Sequence, residues 1–128
     1  MVTYFNDLIG APKAVGPYSQ AAQSGNLVFL SGQIALVPET GSMIEGGVEA
    51  QTRRVLANIK SVLKALELDF GNVIKTTIFL TDMAHFKLVN DIYAAELKDA
   101  KPARSTIKVA GLPLDALVEI EMTAEKLF

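Results

Sequence analysis

Arg104, just after Pro102-Ala103, and Glu119, in "VEIEMTA", are the residues of this 128-residue chain best placed to do chemistry. A guanidinium at the start of a strand presents a planar fork that matches a carboxylate with two parallel hydrogen bonds, which lysine does poorly. A glutamate on a nearby strand would act as a general base or hold a water, provided partial burial raises its pKa. Taken singly, both read more readily as solvated surface charges, worth little even when paired. Three further positions invite a ligand. Tyr18 stands beside the Gly-Pro turn of "GPYSQA", and Ser31-Gly32 closes the run "LVFLSG", where a glycine permits close approach by a ligand or simply a bend. Asn90 lies inside the helical stretch "LVNDIY", an unfavourable place for asparagine unless its amide faces water or binds something.

Composition narrows the chemistry. With no cysteine and a single histidine, His85, the chain has no thiolate nucleophile, no disulfide, and no three-histidine metal site of its own. His85 itself reads as a surface residue. The net charge is −2 and the basic residues are scattered, which argues against nucleic acid as a partner, since phosphate neutralisation needs a concentrated basic surface. No apolar run approaches the ~20 residues needed to cross a bilayer, and "MVTYFNDLIGAPK" has no signal-peptide pattern. A soluble, cytoplasmic chain is expected, folded as one domain over residues 1–128. Half of the residues are hydrophobic, more than so small a surface would leave exposed, so some apolar surface is expected to be covered by another subunit.

The elements that must position these groups follow from periodicity. "YSQAAQ" and "LVFLSGQIAL" flank the turn signal "SGN", predicting a hairpin over residues 17–35. From Val48, the residues Val55, Leu56, Ile59, Val62, Leu63 and Leu66 form one helix face. "VIKTTIFLT" reads as a strand, and Asp82 as the N-cap of a second helix facing inward through Phe86, Val89, Tyr93 and Leu97. After Pro102 the stretch 101–126 reads as a closing hairpin. Its alternation places Ile107, Val118, Ile120 and Met122 inward and sets Arg104, Thr106 and Glu119 off the helix-covered face. The order is β-β-α-β-α-β-β, an α+β arrangement with two helices on one face of a single sheet. The other face is then wet or buried in an oligomer.

Together, "GPYSQA", "SGQI", "VNDIY", "PARSTIKVAGLP" and "VEIEMTA", in that order over nearly the whole chain, resemble the Rid/YjgF family. These are the reactive-intermediate deaminases, also called translation-inhibitor or L-PSP ribonuclease homologues. The resemblance implies a chorismate-mutase-like α+β fold with a single mixed sheet. It also implies a homotrimer with active sites between subunits, and hydrolysis of 2-enamino and 2-imino acids such as 2-aminoacrylate, 2-iminopropanoate and 2-iminobutanoate. Those intermediates are released by PLP-dependent dehydratases and are converted to 2-oxo acids and ammonia, a form of metabolite damage control. By the same resemblance, Arg104 clamps the substrate carboxylate and Glu119 positions or activates water. Tyr18, Ser31, Gly32, Asn90 and Thr106 line the pocket, and no metal or other cofactor takes part. The alternative is a trimeric interaction protein that binds small carboxylates or acts on RNA.

Overall fold

The computed structural model describes residues 1–127. Six strands form one mixed sheet in the order β1-β2-β3-β6-β4-β5, with two helices packed on one face. The strands are β1 (Thr3–Phe5), β2 (Ala21–Ser24), β3 (Leu27–Leu30), β4 (Val73–Leu80), β5 (Ala103–Lys108) and β6 (Val118–Glu125). The helices are α1 (Val48–Ala65) and α2 (Phe86–Leu97). The expected order holds, with the short edge strand β1 added ahead of it. No helix among the described residues is long and apolar enough to cross a membrane.

The expected face of α1 is the buried one: Val55, Leu56, Ile59, Val62 and Leu63 are all sealed. Burying each such side chain contributes on the order of 2 kcal/mol. Glu49 in the first turn and Lys64 in the last complement the helix dipole. From β6, Val118, Ile120, Met122 and Ala124 meet this face, as their alternation required. Two buried amides tie the irregular segments to α1. The Asn58 amide nitrogen donates to the Leu36 carbonyl oxygen at 2.9 Å, and Gln51 Oε1 accepts from Leu117 N–H at 2.8 Å. Both contacts satisfy backbone groups that would otherwise be stranded under the helix.

Three expectations are corrected. Asp82 caps a single 3₁₀ turn, Met83–His85, by accepting from Ala84 N–H at 2.9 Å, and α2 begins only at Phe86. His85 belongs to that turn, with its Nδ1 buried and unpartnered among the described residues. Secondly, 101–126 is not a hairpin. β5 pairs in parallel with β4, and β6 inserts between β3 and β4, antiparallel to both. The β4–α2–β5 segment is thus a crossover unit, which parallel strands need because a tight turn cannot join them. Thirdly, the phase of β5 is opposite to the expected one. Arg104 and Thr106 face α2, while Ile107 is 44% exposed on the helix-free face.

Candidate active site

The residues singled out in the sequence divide into two groups on opposite sides of the sheet. Tyr18, Ser31, Gly32 and Glu119 line one cavity of about 360 Å³. Asn90 and Arg104 line a second of about 360 Å³ at the C-terminal end of α2, and Thr106 lies next to them beneath the helix. Register separates the two charged groups. On β4, Phe79 pairs with Glu119 while Thr76 pairs with both Arg104 and Met122. Arg104 is therefore level with Met122, two strands away from β6 and on the other face from Glu119. Within one chain, Arg104 and Glu119 do not form a common site.

The Glu119 cavity is held by buried polar contacts. Gln20, almost fully buried, accepts from Leu8 N–H at 2.8 Å and donates to the Pro12 carbonyl oxygen at 2.8 Å, folding the 8–15 segment over the opening. The Ser31 hydroxyl donates to the Ser19 carbonyl oxygen, which fixes the strand end beside Tyr18. Tyr18 itself is exposed and accepts a long hydrogen bond from Val15 N–H at 3.4 Å. Lys13 adds a cation to the same rim. The Glu119 carboxyl is half-buried, and burial, reinforced by the Glu121 charge, pushes its pKa above the ordinary glutamate value. Among the described residues it accepts no hydrogen bond, so its lone pairs are free for water. Gly32 makes this placement possible. A Cβ there would lie 2.6 Å from Glu119 Oε2 and 3.0 Å from Cδ. Gly32→Ala is accordingly expected to leave the melting temperature nearly unchanged, because the flexible end of Glu119 swings aside. Turnover should fall by about tenfold or more as the carboxylate is misplaced, and parallel thermal and kinetic measurements on the variant check this.

The Arg104 half is built on an edge strand. Its guanidinium carbon lies 5.0 Å from the Tyr93 ring centroid and 5.9 Å from that of Phe86, both on α2. The ion pairs among the described residues are Glu49–Arg53 and Lys87–Asp91, each one helical turn apart, and Arg104 enters neither. Among the described residues its fork meets no carboxylate and is free for an external one. Asn90 lines the same cavity. Thr106 Oγ1 is buried without a partner among the described residues. Lys98 and Lys101 stand at the opening and no acidic side chain among the described residues lines it, so an anion is the ligand this half is suited to. Phe86 and Tyr93 read as core residues of a helix face in the sequence. Nothing in the pattern distinguished a ring packed on aliphatic core from one packed on a guanidinium. No cluster of three or more His, Asp or Glu side chains able to hold a metal ion occurs among the described residues.

Residues 8–126 match the family model described as Endoribonuclease L-PSP. The chain is 54% identical over 114 residues to Reactive Intermediate Deaminase A, chloroplastic, of Arabidopsis thaliana, covering 89% of this chain and 61% of that protein. It thus spans less than two thirds of the plant protein. It is 45% identical to the 2-iminobutanoate/2-iminopropanoate deaminase of Mus musculus, covering 89% of this chain and 84% of that one. The crystal structure of E. coli TdcF with bound serine superposes with a TM-score of 0.89 at 38% identity, covering 98% of this chain and 100% of that one. The matched family model, these relatives and the shared fold show that the chain belongs to the Endoribonuclease L-PSP family, the Rid/YjgF family of its sequence motifs.

Proposed function

We propose that the protein hydrolyses small 2-imino and 2-enamino acids to 2-oxo acids and ammonia, at sites completed between copies of the chain. The observation that carries this reading is the division of the site. A free guanidinium stands on one face, and a half-buried, water-accessible carboxylate stands on the other. Serine bound to TdcF is a small amino acid with one carboxylate, in keeping with a ligand that Arg104 would grip.

The chemistry needs few groups because an imine is already electrophilic, so orientation and a placed water supply most of what is missing. Arg104 would fix the substrate carboxylate. Glu119, ionised, would take a proton from a water as its oxygen bonds to the imine carbon, giving a carbinolamine. From the protonated imine, return of that proton to nitrogen would make it the leaving group. Transfer of the carbinolamine O–H proton to Glu119 as the C–N bond breaks would release ammonia, which takes that proton as ammonium, and leave the C=O of the 2-oxo acid. Atoms and electrons balance with water alone. Tyr18 and Asn90 would border the substrate from the two sides, and Gly32 and Ser31 would supply the wall beside Glu119.

Assembly is supported by the helix-free face, which exposes Leu27, Phe29 and Ile107, with Tyr4 beyond them and Phe79 partly covered. These apolar residues, on either side of the polar β6 row Glu119, Glu121 and Thr123, are in keeping with an interaction surface. A closed ring of three copies would cover it and carry the β5 edge of one chain, with Arg104, to the Glu119 cavity of the next. Phe29→Glu is expected to give a folded monomer by sedimentation, with hydrolysis lost. A trimer persisting with this charge on its inner face would refute the assembly. The activity itself is tested by supplying a PLP-dependent dehydratase that releases 2-iminobutanoate and following 2-oxobutanoate. The protein should accelerate its appearance at catalytic concentrations, and an unchanged rate would overturn the assignment.

A further inference from the structure

Arg104 stands on an edge strand, where a long side chain would ordinarily sample many rotamers. Here it lies against two rings from one face of α2. Phe86 and Tyr93 are seven residues apart, two turns of helix, and both centroids come within the range of cation–π attraction. The nearer ring is itself pinned. The Tyr93 hydroxyl donates to Thr76 Oγ1 at 3.0 Å, Thr76 is fully buried, and Thr76 is the register partner of Arg104 on β4. Arginine, ring and threonine thus form one connected unit, in which the strand that carries the guanidinium is paired with the strand that locks the ring.

We propose that Tyr93 and Phe86 are positioning residues, an aromatic cradle that holds the Arg104 guanidinium by its π-face and leaves its N–H edge free for one planar carboxylate. This rests on the carboxylate-binding role given to Arg104 above. Both rings pack on the arginine, and Tyr93 also lines its cavity; acting through the guanidinium, they act on affinity. Their removal lets the guanidinium rotate, and the two-point grip on the carboxylate must then be reassembled at each binding event.

The test is calorimetric titration of the assembled protein with 2-oxobutanoate, alongside imine hydrolysis kinetics. Tyr93→Leu should weaken 2-oxobutanoate binding and raise KM by about tenfold, with kcat nearly unchanged at saturation. Tyr93→Phe, which keeps the ring and loses only the hydroxyl, should restore both to within about threefold. A Phe variant as impaired as the Leu variant would overturn the cradle, because a purely structural hydroxyl would then be responsible. An unchanged Kd in the Leu variant would overturn it equally. Should Tyr93→Leu fail to fold, the partly exposed Phe86 carries the same comparison, with loss expected for Phe86→Leu and retention for Phe86→Tyr. The two readings separate cleanly. Arg104-dependent binding of 2-oxobutanoate without imine hydrolysis would sink the proposed function and leave the cradle standing. Hydrolysis indifferent to both rings would do the reverse.

Discussion

Arg104→Ala is expected to lower kcat/KM for 2-imino acid hydrolysis by about a hundredfold or more, with the fold unchanged by circular dichroism. The structural half of that expectation comes from where the residue sits. Arg104 forms no ion pair with any described residue and lies on an edge strand, so truncation leaves no buried charge without its partner. The functional half comes from the ligand. A bidentate guanidinium–carboxylate contact in a partly desolvated cleft is commonly worth ~3 kcal/mol, and ~1.4 kcal/mol is a tenfold change in rate or affinity. Arg104→Lys should recover only a small part, because a point charge on a flexible stem cannot set the plane of the carboxylate. Wild-type hydrolysis by Arg104→Ala would remove the carboxylate clamp from the mechanism.

Glu119→Gln is expected to act on the other kinetic parameter. The amide fills the same space beside Gly32 but cannot take a proton from water, so kcat should fall by about a hundredfold or more while KM changes little. The pH dependence gives an independent signature. In the proposed mechanism Glu119 works as the carboxylate, and its pKa is raised by burial and by Glu121. Activity should therefore be full on the alkaline side of that pKa and decline as pH falls through it. The decline should have its midpoint above the ~4.3 of an ordinary glutamate. Weakening the Glu121 charge by Glu121→Gln should shift the limb to lower pH, and Glu119→Gln should abolish it. An acid limb that survives unchanged in Glu119→Gln would assign the base elsewhere.

The helices and the central strand were legible because burial imposes a single phase on them. Val118, Ile120, Met122 and Ala124 can face only α1, and their polar alternates can face only away. β5 escaped the same logic. It is an edge strand, its inner face meets α2 through Arg104 and Thr106, and its most apolar residue, Ile107, points to the face left for another subunit. Hydropathy assigns a strand's phase by assuming one wet face, and a strand with protein expected on both sides breaks that assumption. Strand pairing was illegible for a related reason, since alternation does not name a partner. Residues 109–117, with a 3₁₀ turn at Pro113–Asp115, separate β5 from β6. That connection is far longer than the turns which favour a tight hairpin, and it was the one local sign that these strands go to different neighbours. The candidate site residues stood out only as a set of motifs. Their division into two half-sites needed the sheet order and the face of β5.

The central claim, that one chain supplies the arginine and another the glutamate, is tested most directly by subunit mixing. Arg104→Ala and Glu119→Gln proteins, each nearly inactive alone, would be co-refolded in equal amounts and assayed for 2-iminobutanoate hydrolysis. In a ring of three, every interface that joins an intact Arg104 to an intact Glu119 is a restored site, so roughly a quarter of the wild-type rate should return. A mixture no more active than its components would show that both groups must come from the same chain, and would contradict the composite site.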